Sequence, residues 1–476
     1  MTLDMSPEEF RQLGYRAVDL LAEQLASVPN GPARRMLTEE QRQALMYQPL
    51  PEQAHSPEAL IERCASDILP YPMGNNSPRF FAWVNSPAAP LGILAEMLAA
   101  GFNASLAGGD HAGTYVEHGV LNWLKEIVGF PTDAGGILIS GGSMANLTGL
   151  AVMRHVQTEG NARTDGLTNE SAPMVVYTSD QGHSSIQKAI ELLGFGNKHL
   201  HRVPVDDQFR MDVSALRAAI TADQAAGLRP VCVAASAGTV NTGAIDPLDE
   251  IADVCAEAGL WLHVDGAYGA VGILAEQTAG LYRGIERADS ISLDPHKWLY
   301  VPIECGCTLV RKAQAMRDTF SLVPSYLRDD RALPWFAEFG FQQTRGFRAL
   351  KLWMTIQQIG IQGYRESISR DISLARYLQE RIRQRDDFEL CAAGPLSITC
   401  FRYHPPQASA SSLDDLNRRL LEVVQQEGQV FLTSTTLRDQ VVLRACIVNF
   451  RTTEADLDFL LDTLADAGRR VQGDQS

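Results

Sequence analysis

The chain has 476 residues, 45% of them hydrophobic, and a formal net charge of -16. That length supplies a large core and more than one structural unit, and the acidity argues against nucleic acid or an anionic membrane surface as a partner. The 8 cysteines form no CxxC pair, and Cys305 and Cys307 fit no common zinc spacing, so reduced thiols in a cytoplasmic protein, with no metal, are expected.

Ser6-Pro-Glu-Glu opens the chain as a helix start, unlike a basic, apolar leader. Phe10, Leu13, Val18, Leu21 and Leu25 share one face, which predicts an amphipathic helix over 6–28. Residues 38–47 and 57–68 suggest two more helices. Three helices with no strand bury little by themselves, so they are expected to pack on something else, such as a second subunit. The aromatic stretch Arg79-Phe-Phe-Ala-Trp-Val-Asn-Ser-Pro reads as a core strand, as dimer packing or as a pocket wall. The apolar run 91–100 is too short for a membrane span and is interrupted by Gly92 and Glu96.

From about 115 to 310 the pattern alternates. Strands are predicted at 136–139, 174–178, 231–235, 260–264 and 291–293, with helices at 143–155, 185–193 and 247–258. Alternation at this spacing predicts a mostly parallel sheet covered by helices. The charged, proline-bounded run 322–334 reads as a loop, and a long helix leaves from Phe347. Beyond about 385, strands at 397–403 and 441–447 alternate with helices at 412–427 and 453–467, the pattern of a smaller α+β domain. The expected division is a helical dimerisation segment at 1–87, a large domain at 88–384 and a small domain at 385–476.

Four short motifs carry chemistry. Ile139-Ser-Gly-Gly-Ser joins a strand to a helix; Gly141 and Gly142 let backbone approach an anion, and Ser143 could cap the helix while donating to phosphate. Strand-turn-helix glycines also occur for steric reasons alone. His183 sits just before a helix, where a cap or a surface residue would serve equally. Trp261-Leu-His-Val-Asp-Gly-Ala-Tyr-Gly is an apolar strand ending in the carboxylate of Asp265, at the end of a strand where such sheets bind ligands. Asp294-Pro-His-Lys-Trp follows another strand. The apolar run after Lys297 should bury the lysine, making its amine a nucleophile suited to a Schiff base; a lysine whose stem covers apolar surface is the plainer reading. Pyridoxal phosphate needs both an amine for its aldehyde and a carboxylate for its ring nitrogen, and Lys297 and Asp265 offer that pair.

His-Val-Asp-Gly-Ala-Tyr-Gly followed by Asp-Pro-His-Lys-Trp resembles the group II pyridoxal-phosphate-dependent amino-acid decarboxylases, over about residues 5 to 465. The resemblance implies an α/β fold of pyridoxal-phosphate type I (aspartate aminotransferase-like), with a mostly parallel central sheet and a smaller α+β C-terminal domain. It implies a homodimer with shared active sites, and decarboxylation of an L-amino acid, foremost an aromatic one, to the amine. By the same resemblance Lys297 holds the cofactor and Asp265 its ring nitrogen. Gly141, Gly142, Ser143 and His296 lie at the phosphate. His183 and Ala267 lie on opposite ring faces, and Thr239 lies near the ring. Tyr326 returns a proton to Cα. Trp83, Ser86 and Arg345 border the substrate, Arg348 matches a second family arginine, and Asp246 matches a second acid whose simplest role is a helix cap.

Two departures stand out. Gly266 replaces an alanine and is expected to loosen the turn. The small residues of Asn103-Ala-Ser-Leu-Ala-Gly-Gly-Asp replace bulky ones, implying a wider or reshaped pocket. Alternative outcomes on this scaffold are an aldehyde synthase or oxidative deaminase, or a decarboxylase of a non-aromatic amino acid; the presence of Tyr326 favours plain decarboxylation. A binding protein on a decayed enzyme scaffold would require loss of the lysine or its partners.

Overall fold

Short runs such as Met174–Ser179 and Trp261–Asp265 are buried at every position, as in strands covered on both faces. The computed structural model describes residues 4–322, 333–406 and 412–473. Seven strands form the central sheet: β1 (Gly135–Ile139), β2 (Met174–Ser179), β3 (Leu200–Val203), β4 (Arg229–Ser236), β5 (Trp261–Asp265), β6 (Ser290–Leu293) and β7 (Gly306–Val310). Their order is β1-β7-β6-β5-β4-β2-β3. The pairs from β3 through β6 are parallel, whereas β7 runs antiparallel to both β6 and β1. Register sets Ser236, Asp265 and Ser292 side by side, so three parallel strands end together.

Helices follow the strands as the periodicity predicts, with Gly142–Gln157 after β1 and Ser184–Leu192 after β2. The helix Leu248–Ala258 stops at Gly259, whose φ of 69° is the left-handed conformation that favours glycine. Gly149 lets the helix Gly142–Gln157 lie close on the sheet, since a Cβ there would sit 3.1 Å from the His263 ring. The helix Arg348–Arg383 is interrupted at Gly360.

Two units make up the chain. The sheet unit comprises Val84–Ala375 and Ala392–Ile398; the other comprises Met1–Trp83, Arg376–Cys391 and Thr399–Ser476. The breaks after Trp83 and Ala375 fall near the expected 87 and 384, and the N-terminal segment shares a unit with the C-terminal strands. The physical reason is the aromatic stretch. Within that unit Phe81 N donates to the Phe431 carbonyl, Cys446 N donates to the Phe81 carbonyl, and Phe80 stacks on Phe431 at 5.4 Å. A four-stranded sheet of β8 (Phe388–Ala393), β9 (Ile398–Tyr403), β10 (Thr433–Leu437) and β11 (Gln440–Cys446) has the order β10-β11-β9-β8. The helix Pro7–Ser27 starts with a capping box between Ser6 and Glu9 and buries none of its residues. Among the described residues no helix is long and apolar enough to cross a membrane, and no His, Cys, Asp and Glu cluster is arranged for a metal.

Candidate active site

A cavity of about 410 Å³ opens at the carboxyl ends of β4, β5 and β6. Asp265, last residue of β5, reaches it from a nearly buried position. Its carboxylate is fixed by three donors: Ser292 Oγ at 3.1 Å and Ala267 N at 3.2 Å on Oδ1, and Asn146 Nδ2 at 2.9 Å on Oδ2. Three donors hold such a carboxylate in one orientation and satisfy it where it is buried.

After β6 the chain turns sharply, with Lys297 N donating to the Asp294 carbonyl at 2.8 Å. The turn swings the Lys297 side chain into the cavity, where Nζ lies 3.1 Å from Asp294 Oδ2. Trp298, Leu299, Tyr300 and Val301 behind it are 0–1% exposed, which holds the turn against the core. His296 is seated by its Nδ1, 3.0 Å from the Cys305 carbonyl, and Ser86 Oγ donates to the His296 carbonyl at 3.2 Å.

On the opposite wall the helix Gly142–Gln157 begins. Its N-cap is Gly141, with no side-chain cap. Ser143 therefore sits inside the first turn and does not cap the helix, a correction to the expectation; its position leaves it at the cavity with the backbone of the first turn. A Cβ on Gly142 would lie 2.8 Å from Asp294 Oδ2 and 2.9 Å from Ala267 Cβ. The cradle at this helix N-terminus exists only because glycine stands there, and it suits a phosphate.

His183 is the N-cap of the helix Ser184–Leu192, its Nδ1 taking the Ser185 backbone N–H. It faces the cavity together with Ala267. Burial holds its imidazole below the ordinary value. Thr239 also lines the cavity, but its hydroxyl is engaged within its own turn, 3.0 Å from Thr242 Oγ1.

Other expectations are met differently. Arg345 does not border the cavity: its side chain has no exposure and is paired with Glu117, with further bonds to the Leu106 and Leu138 carbonyls. A buried guanidinium needs that full set of acceptors. Glu117 in turn accepts from Leu138 N at 3.1 Å, so the pair clasps the open edge of β1. Arg348 instead pairs with Glu304, a residue of the cavity rim, at 2.6 Å. Asp246 is not a helix cap; it accepts from Met211 N and Ser236 N, each at 2.7 Å, and burial pushes its carboxyl up to about 6. Gly266 does not loosen its turn, since a Cβ there would meet Ala270 Cβ at 2.5 Å. Within the small-residue stretch 103–110, Gly108 is filled from outside, since a Cβ there would fall 2.0 Å from the Trp335 ring, and Leu106 is fully buried. Trp83 belongs to the other unit, where it lies 5.8 Å from the Phe431 ring and its carbonyl accepts from Arg444. Tyr326 lies outside the described residues. Asn146, Ser185, His263 and Asp294 were not singled out from the sequence.

An amine and a hydrogen-bonded carboxylate facing one cavity, with a glycine-lined helix N-terminus beside them, meet the three demands of pyridoxal phosphate: an attachment point, a partner for the ring nitrogen and a phosphate seat. The sheet and its site thus define a pyridoxal-phosphate enzyme of fold type I. The family model described as the pyridoxal-dependent decarboxylase conserved domain matches residues 39–404, and the chain belongs to that family. It is similar to an aromatic-L-amino-acid decarboxylase of Bacillus atrophaeus, 37% identical over 464 residues that cover 96% of this chain and 94% of the relative. A phenylacetaldehyde synthase of Petunia hybrida is 29% identical over 462 residues, covering 93% and 91%. Among solved structures, Oryza sativa TDC with PLP and tryptamine superposes with a TM-score of 0.92 at 26% identity, covering 99% of each chain. The chain is a pyridoxal-phosphate-dependent amino-acid decarboxylase.

Proposed function

We propose that the preferred substrate is an aromatic L-amino acid, converted to its amine and carbon dioxide. The observation that carries the site assignment is the convergence of Lys297, Asp265 and the Gly141–Gly142 turn on one cavity. The aromatic preference is supported by the likeness to the Bacillus atrophaeus enzyme.

Pyridoxal phosphate, when bound, supplies the sink for the electrons left as carbon dioxide departs. Lys297 Nζ, which faces the cavity, is the amine that would hold its aldehyde. Asp265, fixed by Asn146, Ser292 and Ala267 N, keeps a proton at the ring nitrogen. Gly142, Ser143 and His296 hold the phosphate end. His183 and Ala267, which both line the cavity, would pack against the ring, and His183 would orient the substrate carboxylate. Tyr326 returns the proton to Cα.

We place the enzyme in the cytoplasm as a homodimer with shared active sites. Its eight cysteines are free thiols, which fits a reducing compartment. The helix Pro7–Ser27 leaves Phe10 65% and Val18 38% exposed on one side, apolar surface of the kind that marks an interface. Sedimentation showing a fully active monomer would refute the dimer.

A second reading, an aldehyde synthase, draws on the likeness to the Petunia hybrida enzyme. One experiment separates the two. A panel of L-amino acids is assayed under air for carbon dioxide, amine, aldehyde and peroxide. The wild type should give amine from aromatic substrates. Tyr326→Phe keeps the ring and removes the proton donor, so its product should shift toward aldehyde and peroxide. Wild-type protein that already makes mainly aldehyde favours the second reading, and a non-aromatic substrate turned over fastest overturns the aromatic preference.

A further inference from the structure

Behind the cavity runs a hydrogen-bonded chain whose direction is fixed at one end. The indole Nε1–H of Trp261 can only donate, and it donates to Ser290 Oγ at 2.8 Å. Ser290 therefore has its own proton free for His263 Nδ1, also at 2.8 Å. His263 is wholly buried, which lowers its imidazole to about 4 and keeps it neutral. With Nδ1 accepting, the one ring proton sits on Nε2 and points at Asn146 Oδ1, 2.9 Å away.

That contact settles the Asn146 amide. Its oxygen faces His263, so its nitrogen faces Asp265 Oδ2 and Ser185 Oγ, each at 2.9 Å. Flipping the amide would set N–H against N–H at His263 and oxygen against carboxylate at Asp265. Ser185, having accepted from Asn146, donates to His183 Nδ1 at 2.7 Å, and the Ser185 N–H reaches the same atom at 3.2 Å. His183 Nδ1 thus accepts from two donors. Its ring proton is left on Nε2.

We propose that Asn146 is a positioning residue that couples Asp265 to His183, with its orientation locked by the Trp261–Ser290–His263 chain behind it. One arm fixes the Asp265 oxygen opposite the ring nitrogen. The other fixes the His183 tautomer, so that this side chain presents Nε2–H as a donor and not a bare nitrogen. Asn146 and Ser185 are each no more than 2% exposed, so water does not replace a lost partner. The helix carrying Asn146 reaches this depth because Gly149, one turn later, lets it approach His263 and Ser290.

The proposal rests on the cofactor assignment above, and its test reads more than turnover. The holoenzyme is labelled with ¹⁵N-histidine, and separately loaded with cofactor carrying ¹⁵N in the ring; cofactor affinity is measured by fluorescence. In the wild type, His183 should show an unprotonated Nδ1 and a protonated Nε2. Asn146→Ala should let the His183 tautomer average, move the ring ¹⁵N resonance, and weaken cofactor binding about tenfold or more, as expected for losing a hydrogen bond to a charged group. Ser185→Ala cuts one arm only: the His183 signals should change while the ring ¹⁵N resonance stays. His263→Gln keeps a donor toward Asn146 and should restore what His263→Leu loses. Circular dichroism selects the variants that fold, and Ser185→Ala, a small truncation, remains informative if Asn146→Ala does not. The proposal is overturned if wild-type His183 carries its proton on Nδ1, or if Asn146→Ala and Ser185→Ala both leave the histidine signals and cofactor affinity unchanged; either result leaves the decarboxylase assignment standing. A wild type that binds no cofactor would overturn both.

Discussion

Beneath the Lys297 turn lies a carboxyl that no step of the reaction uses. Asp371 is fully buried, and its Oδ2 accepts from Trp298 Nε1 at 2.9 Å and from the Tyr300 hydroxyl at 2.8 Å. Burial pushes this acid up to about 7 from the usual 3.8. The fold therefore holds a proton over a pH range in which the unfolded chain has released it. The resulting stability is complete below about pH 4 and is lost as pH rises through about 7, the reverse of a salt-bridged carboxylate. A shift of that size corresponds to at most about 4 kcal/mol, of which about 3 kcal/mol falls between pH 5 and 8. Asp371→Asn imitates the neutral acid and does not titrate. The two proteins should have similar urea midpoints at pH 5, and the variant should become progressively more stable than the wild type toward pH 8. Taking the difference cancels every other titrating group. A wild-type-minus-variant difference that stays flat from pH 5 to 8 would refute this account, as would a wild type that gains on the variant.

Lys297→Ala should lose the cofactor that borohydride fixes to the wild type; a reducible adduct in the variant, found by mass spectrometry, would assign the attachment to another lysine. Asp265→Asn should retain cofactor in part and lose turnover by at least ten- to a hundredfold, roughly the 1.5–3 kcal/mol of one charge-assisted hydrogen bond; near-native turnover would remove Asp265 from its role. Arg345→Ala should destabilise the fold by roughly 3–5 kcal/mol, because the buried Glu117 loses its ion-pair partner, and Glu117→Gln in the same chain should recover part of it. If Arg345→Ala instead keeps wild-type thermal stability while KM rises steeply, the arginine contacts substrate after all.

The strand and helix periodicities made the sheet legible, because strands covered on both faces must be continuously apolar and the helices between them must alternate with them. Asp265 and Lys297 stood out as well, since one ends β5 and the other lies in the turn after β6, each a polar group beside apolar sequence. What escaped notice had weaker signals. His263 is two residues before Asp265, on the same face of the strand, and Asn146 is one helical turn after Ser143; spacing marked both, but only the packed helix shows that they meet. Arg345 was misplaced because its partner Glu117 lies 228 residues earlier, and no local pattern announces an ion pair formed at that distance. Gly266 suggests a looser turn and Gly108, within its stretch of small residues, a wider pocket, whereas Ala270 and Trp335 occupy the space beside them. Side-chain volume is conserved by neighbours that the sequence does not place together.

The antiparallel insertion of β7 between β1 and β6 has a consequence in time as well as in space. The Gly141–Gly142 turn that we assign to the phosphate follows β1, and among the described residues the strand that pairs with β1 is β7, with Ile139 opposite Gly306. Gly306 also packs directly on Gly141, where a Cβ would fall 2.5 Å from its Cα. These partners are roughly 170 residues apart, and at about 5–20 residues per second β1 waits some ten to thirty seconds on the ribosome before β7 exists. Closing so long a loop is also slow for a free chain. The parallel strands β2 to β5 can assemble before then, but the seat for the cofactor's phosphate cannot. The proposed cradle is therefore complete only once β7 has been made, and a chain that stalls before it presents Asp265 without that cradle.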